Sequence, residues 1–194
     1  MKKMLMMALA VILVVVISVS GTMAYFTDTE AVVNTFTVGN IDITLDEKED
    51  EDGDGKVTFE NILPGQTYDK HPVVTVLKDS EKCYVFVKVE NGLKDIETKT
   101  AADTIDGQLK AKNWIVLDAD KQPGVYYKVV EKSAVDQPFA VFESFTVRED
   151  AKNADMQAVD NKTIEITAYA VQAAGIDTAA DAWTIAQNAE QYGA

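Results

Sequence analysis

The chain has 194 residues, 47% of them hydrophobic, with a formal net charge of −14, one cysteine and one histidine. So acidic a chain is unsuited to nucleic acid or to an anionic membrane surface. A lone Cys83 excludes an intrachain disulfide and reads as a small buried hydrophobe in a strand.

Lys2 and Lys3 precede an almost unbroken apolar run from Met4 to Val19, with small residues at Ser18, Ser20 and Gly21, and Thr22-Met23-Ala24 closes the segment. A positive start, an apolar middle and a small-residue end predict a secretory signal peptide over residues 1–24. The rival, a membrane anchor, needs roughly 20 apolar residues, and this run falls short of that. Loss of the two leader lysines takes the net charge to −16 and leaves residues 25–194, a length that suits one domain with its own core.

Phe36 and Val38 alternate with threonines, and Ile41, Ile43 and Leu45 alternate in the opposite parity. The phase slips at Gly39-Asn40, which predicts a bulge or sharp bend there. Asp46 to Gly55, DEKEDEDGDG, is a charge run expected to lie outside the core. Two readings of it stand: a plain solvated loop, or a calcium loop. Asp50, Asp52, Asp54 and Gly55 match the first six places of an EF-hand, but its twelfth place is Asn61 and Glu60 comes one residue early. The candidate metal ligands are therefore Asp50, Asp52, Asp54 and Glu60, with weak calcium affinity expected.

Lys56 to Leu63 reads as a short strand stopped by a Pro64-Gly65 turn. Pro72 to Leu77 and Lys82 to Glu90 follow, the second with Cys83, Val85, Val87 and Val89 on one face and Tyr84 and Phe86 on the other. A strand apolar on both faces is expected to be central or covered on both sides. Asn91-Gly92 marks a turn, and the polar stretch Lys94 to Lys112 reads as a surface excursion with a short helix. Trp114 to Leu117 and Val125 to Val130 form a hairpin pattern across Asp118 to Gly124. Phe139, Val141, Phe145 and Val147 line one strand face with Glu143 interrupting, and Arg148 to Asn161 is polar again. Ile164, Ile166, Ala168 and Ala170 share a face of the last strand. Thr178 to Asp181 fits a capping box, so Thr178 to Gln191 is expected to be a terminal helix that docks through Trp183.

Eight or nine short strands with few helices between them predict an antiparallel β-sandwich. Two stretches, Ala24-Tyr25-Phe26-Thr27-Asp28-Thr29-Glu30 and Asn34-Thr35-Phe36-Thr37-Val38-Gly39-Asn40-Ile41-Asp42-Ile43, resemble the TasA/CalY (camelysin) family of secreted biofilm-matrix fibre proteins. Pro64-Gly65-Gln66 and the late strand Ile166 to Gln172 are also similar. The resemblance implies an all-β, jelly-roll-like sandwich with helical decorations. It also implies cleavage between Ala24 and Tyr25 by a SipW-type signal peptidase, export to the matrix or cell surface, and fibres of the protein with itself, with accessory matrix proteins as further partners. Fibres of that family are joined by N-terminal donor strands, and residues 25–38 offer Phe26, Val32, Val33 and Phe36 as anchors; the alternative is that this segment pairs within its own subunit. The competing functions are a monomeric, calcium-dependent surface binding module and a camelysin-type metallopeptidase. Zinc hydrolysis takes about three protein ligands, commonly histidines, and this chain has only His71 and no H-E-x-x-H. No catalytic residue and no cofactor other than calcium is expected.

Overall fold

The computed structural model describes residues 35–47, 62–159 and 162–192. Ten strands and three α-helices occupy them. The strands are β1 (Thr35–Val38), β2 (Ile43–Glu47), β3 (Thr67–Asp69), β4 (Pro72–Val76), β5 (Cys83–Asn91), β6 (Ile115–Asp118), β7 (Gln122–Val130), β8 (Gln137–Ala140), β9 (Ser144–Thr146) and β10 (Ile164–Gln172). The helices are α1 (Ile105–Ala111), α2 (Asn153–Ala158) and α3 (Ala179–Tyr192), and a 3-10 turn spans Lys94–Ile96. The expected strand Lys56 to Leu63 lies largely outside the described residues.

A five-stranded sheet runs β1-β10-β5-β7-β6, a three-stranded sheet runs β2-β4-β8, and β3 pairs with β9. The fold is thus the expected all-β sandwich. Its pairing is antiparallel with one exception: β1 lies parallel to β10. Alternation in β4 buries Pro72, Val74 and Val76, and alternation in β10 buries Ile164, Ile166, Ala168 and Ala170. These join Val85, Val87, Ile43 and Leu45 in the core between the sheets. β5 is central, flanked by β10 and β7, and its second face buries Phe86 at 0% exposure. Two buried faces explain why its sequence is almost continuously apolar.

The terminal helix α3 covers that second face. Thr178 caps it by accepting from Asp181 N–H at 3.2 Å, and its own hydroxyl donates to Asp181 Oδ2 at 2.6 Å. Trp183 then sits edge-on to Tyr169, ring centroids 4.9 Å apart, and 5.2 Å from Phe86. Ring pairs at this spacing add to the area they bury.

Three expectations need correction. Residues 139–147 do not form one strand face: β8 and β9 belong to different sheets, and Val141 and Phe142 are buried in the crossing between them. The stretch 94–112 is not a mere surface excursion, because Ile96, Ile105 and Leu109 are buried and close one end of the core. Single apolar residues spread through a polar stretch can plug a core without showing a period. The acidic run also contributes to the interior. Glu47 continues the inward row of Ile43 and Leu45, and its side chain is 4% exposed. It meets the fully buried Lys70 at 2.5 Å. An unpaired charge would be very costly at this depth, and the opposite charge makes it tolerable.

Candidate assembly interface

The stretch singled out in the sequence ends on β1. Phe36, expected among the donor anchors, lies on this strand, which pairs within its own chain in register with Tyr169 of β10, so residues 35–38 of the expected donor are held by their own sheet. Ala24, Tyr25, Phe26, Val32 and Val33 lie outside the described residues. Val38 packs against the cluster around Phe86, Tyr169 and Trp183. β1 is the terminal strand of its sheet, with β10 on one side and no partner on the other among the described residues. Its ladder to β10 is four residue pairs, against nine between β10 and β5, and α3 also packs on it. A short edge strand is the weakest-held part of a sheet and presents unpaired N–H and C=O groups.

The far end of β1 is fixed more firmly. At Gly39 the chain leaves the five-stranded sheet for the three-stranded one, which accounts for the phase slip in the sequence. Gly39 has φ 103, a left-handed value that glycine accepts freely. A Cβ there would lie 2.6 Å from Gln172 Oε1. That same oxygen accepts from Asn40 N–H at 3.3 Å, and Asn40 C=O accepts from Glu81 N–H at 3.1 Å. Asp42 N–H donates to Ser80 Oγ at 3.1 Å, and Leu77 N–H donates to Asp42 C=O at 2.9 Å. The segment 25–34 therefore leads into a short edge strand whose other end is tied to both sheets.

Of the candidate calcium ligands, Asp50, Asp52, Asp54 and Glu60 all lie outside the described residues. What the structure shows is the base of that run, where Glu47 is held by Lys70. Neither residue was singled out from the sequence. The signal was their phase: Glu47 is in step with Ile43 and Leu45, and Lys70 with Pro72 and Val74.

Zinc chemistry finds no fitting donors among the described residues, where no three His, Cys, Asp or Glu side chains gather as a metal site. His71 is half-buried beside Pro72. Glu143 is held below the usual carboxylate range chiefly by a hydrogen bond from Lys112. Cys83 is fully buried, and burial pushes its thiol up to about 11. It is thus a protonated core residue at neutral pH, neither nucleophile nor metal ligand. Among the described residues, the nearest approach to a catalytic constellation is Tyr126, which donates to Asp106 Oδ1 at 2.9 Å, with Glu97 close by. Burial and Asp106 raise the Tyr126 hydroxyl well above its ordinary range. Glu97 accepts from Ile105 N–H at 2.7 Å at the start of α1, so this cluster secures a helix.

No curated protein and no solved structure matches the chain significantly. A family model described as Camelysin metallo-endopeptidase matches residues 1–174, nearly the whole chain. With the N-terminal motifs and the β-sandwich, that match places the protein in the camelysin (TasA/CalY) family.

Proposed function

We propose that this protein is a secreted structural subunit that polymerises into extracellular matrix fibres through its N-terminal segment. The observation that carries the reading is the position of β1. Residues 25–34 run into the terminal strand of the five-stranded sheet, where an extended segment can pair with another chain. Donation from one subunit to the next is a heterologous contact, which propagates into a filament when it does not close. On this reading a SipW-type peptidase cuts between Ala24 and Tyr25, and the cut frees the segment to reach a neighbour. Calcium, if bound by Asp50, Asp52 and Asp54, is a structural ion, and the chain is not an enzyme.

Electron microscopy of purified protein beginning at Tyr25 is expected to show fibres, and protein beginning at Thr35 is expected to remain monomeric with an unchanged circular dichroism spectrum. Fibres from the shorter form, or monomers from the longer one at high concentration, overturn the reading. The family's name supports a second reading, a metallopeptidase. Chelator-sensitive peptide hydrolysis by purified protein would favour it. For calcium, a melting temperature that rises at millimolar concentration and no longer does so in Asp52→Ala supports a site in the loop. No rise at several millimolar leaves a solvated acidic loop.

A further inference from the structure

The terminal helix does more than cover the sheet. We propose that α3 is a hinged clasp on β1: docked, it holds β1 in the sheet, and when it lifts about Gly175, residues 35–38 open with it while the rest of the sandwich stays closed. This is an autoinhibitory contact of the single molecule and does not depend on the fibre reading above. Residues 175–192 also lie beyond the stretch that the family model matches.

The coupling between the two elements lies in which side chains hold β1. Its register with β10 sets Val38 beside Val171, and Thr35 and Thr37 beside Ala168 and Ala170. Ala168 and Ala170 belong to the core between the sheets, so on that face β1 offers only threonines. Val38 packs instead in the cluster of Phe86, Tyr169, Val171 and Trp183, the one that α3 closes. With α3 away, Val38 would face water. The apolar burial that helps a short ladder hold an edge strand would go with it.

Among the described residues, α3 is held to the sheet by apolar contact alone. Its hydrogen bonds stay within the helix and its cap: Thr178 with Asp181, and Thr184 Oγ1 donating to Ala180 C=O at 3.0 Å. The residues it buries are Ala182, Trp183 and Ala186, and Trp183 alone of these is large. The Trp183 indole N–H is buried without an acceptor among the described residues. A buried donor left unmade costs free energy, and water returns it when the helix lifts. The docked state is therefore poised for release.

The connections allow such a motion. Gly175, in the loop between β10 and α3, has φ 76 and is exposed, with open space where a Cβ would stand. β1 ends at its own pivot, Gly39, which lies against Gln172 just before that loop. Glycine takes such angles without the cost other residues bear. Beside the pivots the chain is tied down: Asn40 C=O accepts from Glu81 N–H at 3.1 Å, and Ala173 N–H donates to Lys82 C=O at 2.8 Å. Opening bares the β10 edge from Ala168 to Val171 and the aromatic face around Phe86 and Tyr169. The clasp thus controls when an unpaired edge and an apolar face are available.

The test is hydrogen exchange read by mass spectrometry on protein dilute enough to be monomeric. Thr178→Ala removes the cap of α3, and Thr184→Ala puts a better helix former in its middle; both positions are exposed. Loss of the cap is expected to speed exchange about fivefold in α3 and by the same factor in residues 35–38. Thr184→Ala is expected to slow both about twofold. Ala186→Asp, which sets a charge in the docking face, is expected to abolish protection in both, with β5 and β7 still protected. A response of α3 in any of the three variants that β1 does not follow overturns the clasp. So does an equal change across β4, β5 and β7, which would make α3 an inseparable part of the sandwich. Protection of α3 that survives Ala186→Asp overturns it as well.

Discussion

Phe86 and Val129 stand on adjacent strands of one sheet face, yet Phe86 is 0% exposed and Val129 48%. Helix α3 makes the difference. Trp183 lies on Phe86 and Tyr169, so the β5–β10 half of this face is a second core. The cover reaches Val125 of β7 and Leu117 of β6, which join the same cluster, and stops short of the corner where Ile115 and Val129 remain half in solvent. Residues under α3 should govern stability, and substitutions at the exposed corner should cost little.

The largest expected break comes from Trp183→Ala, which empties the covered half. Loss of a buried aromatic costs about 3–5 kcal/mol, read as a lower midpoint in urea unfolding. Trp183→Phe should cost clearly less, because the indole N–H has no hydrogen-bond partner among the described residues and only ring contact is reduced. Equal losses in the two variants would point to a bond made by that N–H.

Gly39→Ala comes next. It forces a side chain into φ 103 and against Gln172. Strain of this kind costs about 1–3 kcal/mol, and it should loosen β1 before the rest of the sheet in hydrogen exchange. Uniform loss of protection would show instead that β1 is as firmly held as β10.

At the exposed corner, Ile115→Lys should change unfolding free energy by less than about 0.5 kcal/mol, as exposed substitutions do. A loss above about 2 kcal/mol would mean that Ile115 is covered in the monomer, and the contrast between the two regions would fail.

The smallest effect is a labelling contrast that leaves stability alone. Burial raises the Cys83 thiol to about 11, so in folded protein at pH 8 it should resist alkylation, with reactivity appearing only on unfolding or towards that pH. A Val129→Cys thiol, half in solvent, should react at the rate of a free thiol. Rapid loss of the native Cys83 thiol at pH 8 would show that the core opens readily.

Much of this was legible in the residues themselves. Alternation named the inward faces of β2, β5 and β10, because period two assigns every other side chain to one side of a strand. The opposed parities around Gly39 announced the bend, and Thr178 with Asp181 announced the start of α3. At the proposed interface, Phe36 could be placed on a strand, and the N-terminal motif named the family.

Tertiary structure alone decided the rest. Alternation says which side of a strand is apolar and nothing about which strand lies beside it. The parallel pairing of β1 with β10, the order that sets β1 and β6 on opposite edges, and the division of residues 137–146 between two sheets all depend on contacts far apart in sequence. The same holds for Lys70, a charged residue by sequence that is acceptable inside only because folding brings Glu47 to it. Ile115 and Val129 look like any other strand residues until the turn at Asn113 ends β6 short of its neighbour and leaves them uncovered.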